Sequence, residues 1–394
     1  MPLHETLTSR ERVRRVLRRE PVDRRPIDLG MHPSSGISAF AYQRLRRHLG
    51  LPADTVDVHD CVQMLARVDD DVRRRFHVDC IELEPRWPAT RVWHPRDGYA
   101  FTVPESFRPE PADDGGWTVR RGSESMHMPA RSFFFDGSWL SNWSDLDEEA
   151  AMNIYAGEAA RIFQETDYAT CFVGYAWGGG LEPFFTGLEQ AVQMLEAPAV
   201  VKAENEARLT RNLRRAERII EQLGPFIELV AIGDDMGMQS GPMVRPALME
   251  EMVFPYYERL CRFIHEYSDL KIFLHNCGSI RAYLPALIAA GIDVLNPVQV
   301  SAAGMDPATL KQEFGHRLVF WGGGCDTQRV LTGATPAEVA VHVRHLSDIF
   351  GRGGGFVFNQ VHNIMADVPP ENIVALLDTA YAAGFAAAPP FPGT

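Results

Sequence analysis

Short runs of apolar and β-branched residues alternate with amphipathic stretches over most of the chain. ATCFVGY, IELVAIGDD, KIFLHNCG, IDVLNPVQ, RLVFWGGG and GGFVFNQVHN each end in glycine or polar residues, as buried strands do. PVDRRPIDLG and HVDCIELEP add shorter strands near 26–30 and 78–83. Helical periodicity fills the gaps: residues 39–49, 62–75 and 147–164, then LEQAVQMLEA and its successor. RPALMEEMVFPYYERLCRFIHEY follows, with a kink expected at Pro255, and then IRAYLPALIAAG, DPATLKQEFG, TPAEVAVHVRHLSDIFG and PENIVALLDTAYAAGF. Residues 87–136 break this rhythm. There RVWHPRDGYAFTV and GGWTVRRGSESMHMPARSFFFD alternate with period two around Gly-Asp and Gly-Gly turns, which predicts a β-hairpin insertion.

Strands alternating with helices predict a parallel sheet covered on its faces. Eight such units favour a closed (β/α)8 TIM barrel, and no GxGxxG follows the first strand to suggest a dinucleotide-binding sheet. The expectation is one α/β barrel domain over residues 1–394, with an N-terminal helical extension at 1–25 and the β-hairpin insertion at 87–136. The basic stretch SRERVRRVLRRE spaces Val13, Val16 and Leu17 helically, predicting an amphipathic helix with a solvated charged face.

Composition narrows the function classes. A net charge of −13 argues against a nucleic-acid surface, which needs clustered Lys and Arg. No apolar run approaches the ~18 residues of a membrane helix, and MPLHETLTSRER has no signal-peptide core. Six scattered cysteines do not make a disulfide framework in a chain of 394 residues. A reduced, cytoplasmic protein with thiols available to a metal is expected.

The chemistry of a barrel lies at the carboxyl ends of its strands. His275 and Cys277 stand two apart at one such end, so on extended backbone they leave on the same side. Cys325 stands at another. One imidazole and two thiolates are the donor set of a catalytic Zn²⁺ with an open position; otherwise HxC is a chance pairing and Cys325 a small core residue. Asp234 and Asp235 can serve as general acid or base, as a metal ligand or as a helix cap. Gln239, Gln299 and Gln328 are placed to orient a substrate. Trp177, Phe184 and Phe185 wall a pocket or pack the core, and His362 and Asn363 touch substrate or brace the last loop. Glycine runs at 178–180, 322–324 and 353–355 form tight turns or cradle a phosphate.

As a set, TSRERVRRVLRREPVDRRPIDLG, GDDMGMQSGPMVRP, FLHNCGSI, NPVQVSAAGMDPATLKQEFG, FWGGGCDTQRVLTGATPAEV and GGGFVFNQVHNIMADVPPENI resemble the uroporphyrinogen decarboxylase superfamily over nearly the whole chain. More narrowly, the chain resembles the branch holding methylcobamide:coenzyme M methyltransferases. That resemblance implies a (β/α)8 barrel and a zinc held by His275, Cys277 and Cys325 that activates an acceptor thiol. The decarboxylases of this superfamily carry Arg-Gln-Ala-Gly-Arg-Tyr after the first strand to hold tetrapyrrole carboxylates. Here the stretch is LGMHPSSG, without arginine, which argues against a porphyrinogen substrate.

The reading is therefore a zinc-dependent methyl or alkyl transferase acting on a small molecule, with Asp234 or Asp235 handling protons. A corrinoid would be a co-substrate on a partner protein, since no DxHxxG signature is present. The main alternative is a metal-dependent decarboxylase or lyase of a smaller acid, which needs a cation such as Arg245 or Arg329 at the site. A non-catalytic barrel with ordinary core cysteines is the third. A homodimer through barrel faces or the insertion is compatible with the sequence, which does not itself show one.

Overall fold

A computed structural model describes residues 4–385 apart from 139–142, 145 and 176. Its centre is a seven-stranded parallel sheet of Cys80–Glu82, Ala169–Phe172, Leu229–Gly233, Lys271–His275, Val294–Asn296, Val319–Trp321 and Phe356–Val357, neighbours in space following the order of the chain. Helices return the chain between consecutive strands from Ala169–Phe172 onward.

Side-chain parity shows that the sheet curls. Cys80, Ala169, Cys171, Leu229, Ala231, Phe273, Val294, Val319, Trp321 and Val357 form one buried cluster. The alternate residues Phe172, Val230, Ile232, Ile272, Leu274, Leu295, Phe320 and Phe356 join a second, larger cluster with the surrounding helices. Period two thus separates an inner core from an outer one.

The strand expected near 26–30 takes part in the sheet only as an isolated parallel bridge, Ile27 with Phe358. Its backbone nevertheless spans the two sheet edges. Phe358 N donates to Pro26 O and Asp28 N to Phe358 O (both 2.8 Å), while Asp79 N donates to Ile27 O (2.8 Å). Asp28 is buried inside, where it accepts from Trp321 Nε1 at 2.8 Å and from Met31 N at 3.0 Å. Burial pushes its carboxyl up to about 6.

Two sequence expectations are corrected. The helix foreseen over 62–75 is reduced to Asp70–Arg75, and the residues before it form strands Val56–Asp60 and Leu65–Ala66. Val56 and Val58 are buried and alternate with polar residues, and Val56–Asp60 pairs in parallel with Phe101–Pro104 of the insertion. Asp60 Oδ1 then accepts from Val62 N (2.8 Å) and Gln63 N (3.0 Å), making a turn where a helix was expected. The insertion itself is antiparallel, with Thr90–Trp93 on Phe101–Pro104 and Trp117–Arg121 on Glu124–Met128.

The second correction concerns the basic helix, Ser9–Leu17. Val13, Val16 and Leu17 join the inner cluster and close the amino end of the sheet. Its charged face is not wholly solvated, because Arg12 is fully buried. Arg12 pairs with Asp23 (2.7 Å) and Asp79 (2.5 Å), and Arg24, also buried, pairs with Asp79 at 2.6 Å. Burial would raise the Asp23 carboxyl, but Arg12 and the backbone N–H groups of Leu7 and Thr6 hold it well below the usual carboxylate range. Asp79 also accepts from Ile27 N at 2.8 Å, so one carboxylate ties the helix, the bridging segment and the first strand together.

Removing one partner of a buried ion pair strands the others. Asp79→Asn is expected to destabilise the protein by about 3–5 kcal/mol. Arg74→Ala, which breaks a solvent-exposed pair with Asp70, should cost under about 1 kcal/mol. Urea midpoints of the two variants beside the parent check this, and equal effects would contradict it.

Candidate metal centre at the strand ends

Phe273 belongs to the inner cluster, so His275, two residues on, leaves the same face at the carboxyl end of Lys271–His275. The chain then turns sharply. Gly278 has φ +84°, and a Cβ there would lie 2.4 Å from the Gly237 carbonyl carbon, so only glycine permits this approach. Cys277 is thereby held over the strand end, its N–H donating to Asp235 Oδ1 at 2.9 Å.

Asn296 orients His275. Its Nδ2 donates to Trp321 O (3.0 Å), which fixes the amide so that Oδ1 faces His275 Nδ1 at 3.1 Å. An amide oxygen only accepts, so the imidazole proton sits on Nδ1 and Nε2 keeps its lone pair. Nε2 lies 3.6 Å from Cys277 Sγ and 3.9 Å from Asp235 Oδ1. The third member is His362, whose ring meets that of His275 edge-on with centroids 5.9 Å apart. Donor atoms of His275, Cys277 and His362 all lie within 4.8 Å of one another. Burial, helped by the neighbouring His275, lowers the His362 imidazole to about 4, leaving it neutral and able to donate a lone pair. Burial and Asp235 raise the Cys277 thiol, so it holds its proton until a cation takes that place.

Cys325 is outside this trio. It is fully buried in the outer core, with Sγ 3.8 Å from Asp326 O, although its carbonyl accepts from Val361 N (2.9 Å) beside His362. Burial raises its thiol too.

The two aspartates differ. Asp234 is buried, and its Oδ2 accepts from Phe184 N (3.2 Å), Phe185 N (3.0 Å) and the Tyr257 hydroxyl. Its Oδ1 has no partner among the described residues, and burial brings the carboxyl up to about 7. Asp235 is exposed at the rim. Gln299 accepts from Gly278 N (2.8 Å) and donates to Gln239 (2.9 Å), which donates on to Ser301 O (2.5 Å). Ser301 in turn donates to Gln328 at 3.2 Å. The three glutamines thus belong to one chain of hydrogen bonds beside Cys277, and none of them lines the cleft described below.

A cleft of about 640 Å³ opens over these groups. His32, Ser34, Tyr175, Phe185, Asp234, Asp235, His275 and His362 line it, and its described lining holds no Lys or Arg. Arg245 is exposed at the start of Pro246–Met252, and Arg329 lines a separate outer groove with His342 and His345. Trp177 lies outside the lining and stacks on Trp87 (centroids 4.7 Å apart), while Phe184 packs on Tyr257. Asn363 bonds Gln63 at 2.7 Å beside the cleft. Of the glycine runs, 353–355 precedes the last strand, at its amino end, and a Cβ at Gly324 would sit 2.4 Å from the Phe358 ring. Close packing accounts for that glycine.

Sequence reasoning missed His32. Its ring stacks on His275 (centroids 5.0 Å apart), its Nδ1 lies 2.8 Å from Ser34 Oγ, and its Nε2 is buried without a partner among the described residues. The only sequence signal is its place just after the first strand segment, in LGMHPSSG.

Residues 216–383 match the family model for uroporphyrinogen decarboxylase (URO-D). A stretch of 77 residues is 36% identical to uroporphyrinogen decarboxylase of Psychromonas ingrahamii; it covers 20% of this chain and 21% of that one, so the chain spans about a fifth of that relative. A methyltransferase from Methanosarcina mazei has the same fold, with a TM-score of 0.55 over 95% of this chain and 98% of the other at 14% identity. The family match thus covers the carboxyl-terminal part of the chain, and the structural likeness shows the fold.

Since Asn296 alone sets the His275 proton, Asn296→Ala should release it. The ¹⁵N shifts of His275, recorded on metal-free protein, are expected to change from pure Nδ1–H to a mixture of tautomers. An unchanged spectrum would mean that another group holds the ring.

Proposed function

We propose that this chain is a zinc-dependent methyl or alkyl transferase, on a (β/α)8 barrel whose eighth strand is the segment 26–28. The observation that carries this reading is the convergence of His275, Cys277 and His362 within 4.8 Å, the two histidines lining a cleft whose described lining has no fixed cation. Two imidazoles and a thiol suit zinc by donor type, and three protein ligands leave one position for a substrate. Zn²⁺ bound there would supply Lewis acidity that lets an incoming thiol lose its proton near neutral pH.

The chain's own groups have separable tasks. Asn296 holds the His275 lone pair toward the site, and burial keeps His362 unprotonated. Asp235, exposed at the rim, passes the thiol proton to solvent. The substrate sulfur then attacks the methyl carbon; the S–C bond forms as the bond from carbon to the donor breaks, its electron pair leaving with the donor. A corrinoid on a partner protein is the proposed donor. The alternative, decarboxylation or lysis of a small acid, needs a fixed cation beside the substrate, and neither Arg245 nor Arg329 lines the cleft.

Metal analysis of protein purified without chelator tests the centre. About one zinc per chain is expected, lost in Cys277→Ala and His362→Ala and kept in Cys325→Ala. Loss in Cys325→Ala with retention in His362→Ala would instead favour the set implied by the sequence resemblance. Methylation of a thiol by methylcobalamin, abolished with the metal, tests the reaction.

A further inference from the structure

The buried tyrosines Tyr42, Tyr155, Tyr257 and Tyr283 each donate their hydroxyl to a protein oxygen, on Asp69, Glu84, Asp234 and Val244 in turn. Tyr175 is different. It is half-buried in the lining of the cleft, and its hydroxyl has no hydrogen-bond partner among the described residues. Nor is that oxygen one of the sealed polar atoms left without a partner, so it keeps surface in the cleft. Its place is set by the sheet. Gly233 pairs with His275 in register, and paired residues on neighbouring strands send their side chains to the same face. A Cβ at Gly233 would lie 2.5 Å from Tyr175 Oη. The phenol oxygen therefore fills the side-chain position beside His275 on the inner face, and glycine at 233 leaves it that room.

A phenol holds its proton at neutral pH, and burial strengthens that hold, so the group offered to a ligand here is a neutral donor. The described lining has no Lys or Arg, so a sulfonate, carboxylate or phosphate would lose its water without gaining a counter-ion. An ammonium group brings donors only and would leave the phenol proton unmatched. Pro33, Pro183 and Met243, all partly exposed, add apolar surface to the same space. We propose that the acceptor thiol is uncharged and carries an oxygen acceptor, a hydroxyl or carbonyl, near its sulfur. Tyr175 binds that oxygen while the sulfur lies at the His275–Cys277–His362 centre. This rests on the metal–thiol reading above and adds the substrate's polar group and the residue that selects it.

The test uses the full chain loaded with Co²⁺, with the sulfur-to-cobalt charge-transfer band reporting binding. The alcohols 2-mercaptoethanol and 3-mercaptopropan-1-ol are titrated beside 1-propanethiol and 1-butanethiol, which replace the hydroxyl with methyl. The charged thiols 2-mercaptoethanesulfonate and 2-aminoethanethiol complete the set, all compared at equal thiolate concentration. Tyr175→Phe is expected to weaken the better-bound alcohol about three- to tenfold, the contribution of one neutral hydrogen bond, and to leave its alkanethiol unchanged. Gly233→Ala should do the same, because its methyl displaces the phenol oxygen and meets only the far end of that side chain. Equal effects of Tyr175→Phe on alcohol and alkanethiol, or none on either, would overturn the proposal. So would a charged thiol that binds the unaltered protein as tightly as the alcohol. Failure to take up cobalt would overturn the metal reading and this one together, and is distinct from a cobalt-loaded protein whose thiol affinities ignore Tyr175.

Discussion

One buried amide, Asn296, holds the site's parts in register. Its side chain receives His275 Nδ1 (3.1 Å) and Ser34 Oγ (2.5 Å) and donates to Trp321 O (3.0 Å), while its carbonyl accepts from Asn276 N (2.6 Å). The turn after the first segment and three successive strand ends thus meet on one residue. A side chain fixed by bonds at both ends of its amide has no freedom to swap oxygen for nitrogen. The direction of the His275 lone pair is therefore a property of the sheet rather than of the histidine. Ser34, at the same oxygen, also links His32 to this arrangement.

The two ends of the curled sheet handle charge in opposite ways. At the amino end Arg12, Arg24 and Asp79 are buried but mutually paired, and the N-terminal helix covers them. At the carboxyl end the buried polar groups are left incomplete: among the described residues Asp234 Oδ1 and His32 Nε2 find no partner. Buried charge tolerated by pairing makes a closed floor. The same desolvation that raises Asp234 lowers His362, so one apolar environment keeps both near neutrality in charge.

Much of this was legible in the sequence because it depends on local period. Apolar runs of strand length separated by helical repeats placed all seven strands of the parallel sheet, and two-residue spacing put His275 and Cys277 on one face. Period-two alternation around glycine-containing turns marked the insertion.

What sequence periodicity could not fix was which distant residues share a space. Val56–Asp60 is a strand because Phe101–Pro104 lies beside it, and the basic face of the first helix is partly buried because Asp79 waits beneath it. Cys325 and His362 stand on neighbouring strand ends and both carry metal-ligating atoms. In the folded chain His362 reaches His275 and Cys277, while the Cys325 thiol turns into the outer core. His32 entered the site only when the chain closed, since its neighbour in space, His275, lies far from it in sequence. The chain's local repeats determined the elements and which side of each was apolar. The tertiary structure alone decided which side chains meet at the strand ends and which residues line the cleft, because both arise from contacts between strands far apart in the chain.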